Sequence, residues 1–267
     1  MPETRVLTFT TDFGLQDPFV GIMHGVVLNI EPDARIVDIS HAVRSFDVLD
    51  GAFTIAQAYR YFPPGTVHVI VVDPGVGSER RPIVAETDDY VFVAPDNGVL
   101  TLVEARERRF TVRHIAAQRY FLRPVSQTFH GRDIFSPVAA WLAKGVAPAD
   151  MGAEITDYVR LPIAGVQRIG EGQLCATVLK VDKFGNLITN LTEADLASAS
   201  RIQIRIAGQL ITRLCGSYAE GGVDDLFAIF GSSGYLEIAA RQDSAAKRLG
   251  VHEGEPVSVM LGLGSSV

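Results

Sequence analysis

The sequence predicts an α/β N-terminal domain with a mostly parallel sheet, followed by an all-β, barrel-like C-terminal domain. Three observations predict it. Up to about residue 155, apolar β-branched runs alternate with stretches of helical periodicity, the pattern of strands joined by crossover helices. The run "TVHVIVVD" is apolar without alternation, as expected of a strand covered on both faces. After residue 172, short strand-like runs are separated by glycine-containing turns, which suggests a small barrel or sandwich. The domains are drawn as 1–155 and 173–267. Between them, 156–172 reads as a linker, with Pro162, several glycines and no strong periodicity.

The N-terminal elements follow in order. "RVLTFTTDF" is a strand. "PFVGIMHGVVLNIEP" has helical spacing and stops at Pro32. "RIVDIS" is a second strand, and "DVLDGAFTIAQAYRYF" is a helix ended by Pro63-Pro64-Gly65. After "TVHVIVVD", "YVFVAPDNG" is a strand entering a turn, and "DIFSPVAAWLAKG" is a helix closed by Gly145. In the C-terminal part the strands are "QLCATVLKVDKFGNLITNL", "RIQIRIAGQLI", "LFAIFGSSGYLEIAA" and "PVSVMLGL". No internal repeat or low-complexity tract interrupts them.

Composition narrows the function classes. The chain has 267 residues, 47% of them hydrophobic, and a net charge of -7. That apolar content suggests surface buried between subunits. No long basic run is present, so binding to nucleic acid or anionic membrane is disfavoured. Cys175 and Cys215 lack any CxxC partner or histidine at ligand spacing and read as free thiols in a reducing compartment. The N-terminus runs into a strand without a charged start and apolar stretch, and no apolar segment approaches the about 20 residues a membrane helix needs. A soluble cytoplasmic protein is expected.

Several short segments carry chemistry, each with a plain structural alternative. "TTDFG" puts Asp12 after a strand and before a helix, where it either meets a ligand beyond the strand ends or caps the helix. Asp17 has the same two readings. "VVDPGVGSERR" lacks the end of a phosphate loop and the third glycine of a dinucleotide fingerprint. Instead it sets Asp73 and Arg80 seven residues apart, as a functional pair or as a pin for a tight turn. "QTFHGRDIFSP" offers His130, able to move a proton near neutral pH or simply bonded within its loop. The other five histidines show no metal-ligand spacing and read as structural. "KVDKFGNLITN" gathers Asp182, Phe184 and Asn186, which suits a ligand with an amine and a flat, nitrogen-edged ring, or makes only a hairpin turn. "FGSSGYLEIA" presents Ser232 and Ser233 in a turn able to hold a carboxylate, or is only another hairpin.

Taken together and in order, "TDFG…D", "DISH", "VVDPGVGSxRR", "APDNG", "FHGRDIF", "VDxFGNLxTN" and "SSGYLEIA" resemble the S-adenosyl-L-methionine (SAM) hydroxide adenosyltransferases, or SAM hydrolases, relatives of the fluorinase and chlorinase enzymes. The resemblance runs from Thr10 to about Ala240. It implies a homotrimer with SAM at subunit interfaces, between the N-domain of one chain and the C-domain of the next. It implies that Asp12 holds the ribose hydroxyls, Asp17 lies near the methionine end, and Phe46 stands where the halogenases have a tryptophan. It further implies that Asp182 pairs with the methionine ammonium, Phe184 packs on adenine, Asn186 bonds the adenine edge and Ser232 meets the methionine carboxylate. Ser233 replaces an arginine of the fluorinase, leaving hydroxyls and backbone to hold that carboxylate. Gly131 replaces its halide-binding serine, and Asp73 its tyrosine under the sugar.

The Asp-Arg-His set of the hydrolases is complete in Asp73, Arg80 and His130. The implied reaction is attack of water on ribose C5′, with methionine leaving from the sulfonium and adenosine and L-methionine as products. Arg80 would stabilise developing hydroxide, Asp73 would orient it, and Asp73 or His130 would take the proton. SAM is then the substrate, and neither a metal nor a cofactor is expected. A SAM-binding protein without turnover and a halogenase are the rival readings. The first has no use for the Asp-Arg-His set, and Asp73 and Gly131 oppose the second.

Overall fold

The computed structural model describes residues 6–196, 199 and 201–262. The expected strand start at Arg5 and strand end at Leu263 lie outside these residues. The chain forms two compact units, Met1–Leu161 and Pro162–Val267.

The first unit is built on a seven-stranded sheet. Its strands are β1 (Val6–Thr11), β2 (Arg35–Ser40), β3 (Val67–Val71), β4 (Pro82–Glu86), β5 (Val91–Pro95), β6 (Thr111–His114) and β7 (Glu154–Ile155). Their order is β2-β1-β3-β5-β4-β6-β7. All five residues of β3 are buried, as the unbroken apolar run requires. Four helices accompany the sheet: α1 (Phe19–Ile30), α2 (Val48–Ala58), α3 (Thr101–Glu104) and α4 (Ser136–Ala143). Asp47 starts α2, its carboxylate accepting the Asp50 N–H at 2.9 Å. Met23 and Val27 of α1 and Val138 and Leu142 of α4 share one core with Leu7, Phe9, Val69 and Phe135. Truncating a fully buried side chain such as Phe135 to alanine costs about 3–5 kcal/mol.

The sheet is mixed, which corrects the expectation of a mostly parallel one. β1 pairs parallel with β2 and β3, and β3 with β5. The pairs β4–β5, β4–β6 and β6–β7 are antiparallel. The reason is the connection after β3. A parallel crossover needs a dozen or more residues, usually with a helix, whereas "VDPGVGSERR" is a bare loop that can deliver only a reversed strand.

Among the described residues, the second unit is all β apart from two short α-helices, α5 (Glu193–Leu196) and α6 (Ala245–Leu249), and a 3₁₀ turn, Tyr218–Glu220. Its strands are β8 (Gln167–Gly170), β9 (Gln173–Val181), β10 (Leu187–Thr192), β11 (Arg201–Ile206), β12 (Gln209–Ile211), β13 (Leu214–Cys215), β14 (Leu226–Phe230), β15 (Tyr235–Ala240) and β16 (Pro256–Gly262). The order is β12-β11-β16-β9-β10-β15-β14-β13, with β8 on β9. The sheet curls, bringing β12 near β14. Strict alternation in β11 and β16 sends one face into the core and the other outward.

The segment 156–172 is less of a linker than its composition suggests. Val159 N–H donates to Asp96 Oδ1 and Leu161 N–H to Thr101 Oγ1, both at 2.8 Å. Its later part forms β8. Cys175 is half-buried, Cys215 is buried, and both are free thiols.

Candidate active site

The catalytic candidates sit at one end of the first sheet. Thr11 and Val71 are register partners in the parallel β1–β3 pair. Asp12 and Asp73, just beyond them, therefore emerge side by side at the carboxyl end, where open α/β sheets hold ligands.

Asp73 and Arg80 form a bidentate pair. Arg80 Nε donates to Oδ1 at 2.9 Å and to Oδ2 at 3.0 Å, and Nη2 donates to Oδ2 as well. Their side chains are only 5% and 9% exposed, so water screens the pair little. Arg80 Nη2 is also 2.8 Å from His130 Nδ1. A guanidinium only donates, so Nδ1 accepts, and His130 is a neutral imidazole with its proton on Nε2. Burial lowers the His130 pKa, the Arg80 charge lowers it further, and Asp73 pulls it back in part. One donor of this cluster is left over: Arg80 Nη1 is buried and has no hydrogen-bond partner in the protein. An unsatisfied buried polar group costs about 1–3 kcal/mol, and more when charged.

Local sequence explains the assembly. Between Asp73 and Arg80 the chain makes successive turns, with Val76 N–H bonded to Asp73 O and Ser78 N–H to Gly75 O. Gly77 has φ +77°, and a Cβ there would lie 2.2 Å from Gln127 O. Only glycine lets this loop press against the backbone leading to His130. That second segment is fixed by Asp133, fully buried, whose carboxylate accepts from Ser126 N–H at 2.8 Å and from Arg132 Nε at 2.6 Å. His130 opens a π-helical turn, Gly131–Phe135, that runs into α4. Such turns concentrate at functional positions.

Asp12 is not a helix cap. The residue preceding α1 is Pro18, with no side-chain cap bond, and Asp12 Oδ2 instead accepts the Phe46 N–H at 2.8 Å. Phe46 has φ +67°, a left-handed conformation costing a non-glycine residue about 1–2 kcal/mol. Its ring is 74% exposed. The structure thus brings Asp12 and Phe46 together. Asp17 lies exposed in the loop before α1.

The second unit carries its own cluster. Asp182 Oδ1 accepts the N–H groups of Phe184 and Asn186 at 2.9 and 2.8 Å, and Oδ2 accepts from Asn186 Nδ2 at 2.9 Å. The plain hairpin reading is therefore realised, and it also locks Asn186, which is buried. Gly185, at φ +85°, passes so close to Ser244 that a Cβ would fall 2.0 Å from its Oγ. Phe184 projects from this turn, 75% exposed. A cavity of about 410 Å³ takes in Asp182, Phe184 and Ser244 but neither Asn186 nor the two serines. Ser232 is exposed in the turn before β15, and the Ser233 hydroxyl is buried without a partner.

Two residues that the sequence reading passed over belong to this cluster. Glu237 is buried, accepts a 2.7 Å hydrogen bond from Tyr218 OH, and lies where a Cβ on Gly231 would be. Burial raises its pKa, the Tyr218 bond opposes this, and the Asp182 charge adds to the rise. A lone acid inside "YLEIA", a run buried on both faces, was the available signal.

Comparison with known proteins covers both parts of the chain. Residues 7–152 match the SAM hydroxide adenosyltransferase N-terminal domain, and residues 176–258 match the C-terminal domain. A (R)-S-adenosyl-L-methionine hydrolase of Salinispora tropica is 38% identical over 98% of this chain and 100% of its own. A fluorinase of Nocardia brasiliensis is 26% identical over 96% of this chain and 97% of its own. The crystal structure of an uncharacterized conserved protein from Thermotoga maritima superposes with a TM-score of 0.88 at 34% identity, covering 95% of this chain and 99% of that one. With both domains matched in order, and hydrolases more similar to it than a fluorinase is, the chain belongs to the SAM hydroxide adenosyltransferase family.

Proposed function

We propose that this protein hydrolyses SAM to adenosine and L-methionine, with water attacking ribose C5′. The observation that carries the reading is the spare, buried N–H of Arg80, held in place by Asp73 and His130. A donor fixed in this way suits an oxygen nucleophile. The full-length similarity to SAM hydrolases supports the same substrate, and the R configuration at sulfur named for those relatives is the natural candidate here.

The chemistry needs little from the protein beyond placement. As the C5′–O bond forms, the C5′–S bond breaks and its electron pair neutralises the sulfonium. The attacking water becomes strongly acidic only as it bonds to carbon, so a carboxylate suffices to take its proton. Asp73 is that group in this reading. His130 has its Nδ1 lone pair engaged by Arg80, which favours it as an orienting residue over the alternative proton acceptor. Positioning of this kind supplies up to about 7–11 kcal/mol. No metal or cofactor enters the scheme.

Asp12 with Phe46 would receive the ribose, and Asp17 would lie toward the methionine end. Asp182, Phe184, Asn186, Ser232 and Ser233 would receive the amine, adenine and carboxylate. Two large exposed aromatics, Phe46 and Phe184, stand one on each unit. A ligand and a neighbouring chain covering them would fit the homotrimer with shared sites that the family resemblance implies. Single chains in solution, seen by sedimentation, would remove that part. The cytoplasm, where SAM is made and used, is the expected location. A halide nucleophile is disfavoured, since Asp73 would repel it and a side chain at Gly131 would crowd Met23 Sδ at 3.1 Å.

Turnover in water enriched in heavy oxygen tests the reading. The label is expected on the adenosine 5′-hydroxyl. Label in methionine, or S-methyl transfer products, would overturn attack at C5′.

A further inference from the structure

His24, Asp38 and His41 form a cluster that the hydrolytic scheme does not use. His24 lies on α1, Asp38 on β2, and His41 just beyond β2. Asp38 Oδ1 is 3.0 Å from His24 Nε2 and 3.0 Å from His41 Nε2. One donor atom from each of the three residues lies within 4.8 Å of the others. Sequence spacing hides this, because the helix and the strand bring together residues 14 positions apart.

The cluster has the marks of a ligand set rather than of a simple hydrogen-bonded trio. The His41 side chain is only 4% exposed, and its Nε2 makes no properly directed hydrogen bond despite its distance to Asp38. Its other nitrogen, Nδ1, is held by Thr11 Oγ1 at 2.9 Å. Metal-binding histidines have this arrangement, one nitrogen anchored behind so that the other is aimed forward. The His24 ring is braced against Phe9, with centroids 5.0 Å apart. Asp38 and His24 remain partly open, at 39% and 24% side-chain exposure, so an ion could enter and keep water on its outer side.

Chemistry selects the ion. Two imidazoles and one carboxylate suit a borderline divalent transition metal. Mg²⁺ and Ca²⁺ prefer all-oxygen sites. Ligands about 2.0–2.2 Å from Zn²⁺ lie a little over 3 Å from one another in a tetrahedron, close to the His–Asp separations here.

We propose that His24, Asp38 and His41 bind one Zn²⁺-class cation, with water completing its shell, and that this ion clamps the loop bearing Asp12. The link to the loop is direct. His41 O accepts the Gly14 N–H at 2.8 Å, and Thr11 Oγ1, behind the His41 ring, also accepts the Phe13 N–H at 3.2 Å. The ion would tie β2 and α1 to both sides of Asp12 without touching substrate.

Metal titration of the full-length, chelator-treated protein tests this. Calorimetry with Zn²⁺ is expected to show one ion per chain and a rise in Tm, as binding to the folded state requires. His24→Gln and Asp38→Asn should each abolish saturable binding at that site. Thr11→Val should weaken it by about 10–100-fold, the usual effect of losing a partner behind a ligand. Co²⁺ should give d–d absorption without a thiolate charge-transfer band. No saturable binding by the wild-type protein, a thiolate band pointing to Cys175 or Cys215, or binding unchanged in both His24→Gln and Asp38→Asn would overturn the proposal. Variants that lose Zn²⁺ but keep the wild-type Tm in chelator fold normally, so their loss counts as loss of ligands.

Discussion

The two residue clusters, one on each unit, satisfy their polar groups in opposite ways. In the first unit, Asp73, Arg80 and His130 bind one another yet leave a buried cationic donor, Arg80 Nη1, without a protein partner. In the second, the Asp182 carboxylate is engaged three times by its own turn, and the group left protruding is an apolar ring, Phe184. Among the described residues of that unit, the buried side-chain polar atom left without a partner is Ser233 Oγ. The lesson is a division of labour. A polar group held ready but unsatisfied acts on charge that develops during reaction, whereas a preformed turn bearing an exposed ring contributes shape and ground-state binding. Rate should follow the first unit and affinity the second.

The strongest way to break this contrast is Arg80→Lys. The charge stays, but the fork that bonds Asp73 and His130 together is lost. A fall in kcat of about 10²–10³-fold is expected, the scale of losing one preorganised donor, with KM little changed. Steady-state kinetics on a variant of normal Tm checks this, and a rise in KM that accounted for the whole loss would reassign Arg80 to substrate binding.

Phe184→Ala should do the reverse. A base stacked on an aromatic face is worth about 1–3 kcal/mol, so KM should rise roughly 5- to 150-fold while kcat holds within about threefold. The ring is exposed, so stability should hardly change. A large drop in kcat at saturating SAM would dissolve the division between the units.

The smallest effect on rate is expected at His68, which sharpens the contrast in stability instead. His68 is fully buried, bonded through Nδ1 to Thr8 Oγ1 at 2.7 Å, and burial lowers its pKa to about 3. An unfolded histidine titrates near 6.5. Between these values the unfolded chain holds a proton that the folded chain refuses, so stability falls as pH drops from about 6.5 toward 3. Denaturant unfolding of wild type and His68→Phe across that range should show a shallower loss in the variant. Equal slopes would place the acid sensitivity elsewhere.

Much of this was legible in the sequence, for identifiable reasons. β3 announced itself because a strand covered on both faces cannot alternate. Asp73 and Arg80 were readable as a pair because they share one short loop, while His130 joined them only through the family resemblance. What escaped was nonlocal. The antiparallel half of the sheet depends on the length of a connection, not on the composition of β4 or β6. The Asp12–Phe46 bond joins two loops and puts a phenylalanine at positive φ, which no propensity favours. The His24–Asp38–His41 cluster needs α1 laid beside β2 before its members meet, and Glu237 looks like one charge in an apolar strand until Tyr218 reaches it.

The bare loop after β3 has a consequence for how the Asp73–Arg80–His130 cluster comes into being. Asp73 and Arg80 are seven positions apart, whereas Arg80 and His130 are fifty apart. In a chain not yet ordered, closing the longer span costs about 2 kcal/mol more than closing the shorter one, from the logarithmic growth of loop entropy. The acid–guanidinium clasp is thus a near-local event, closed within the single loop between β3 and β4. The imidazole must wait for the chain beyond β6 to return through Gln127 to the glycine at 77. Arg80 therefore has one partner close by in the chain and one distant, and the distant one depends on most of the first unit being assembled around it.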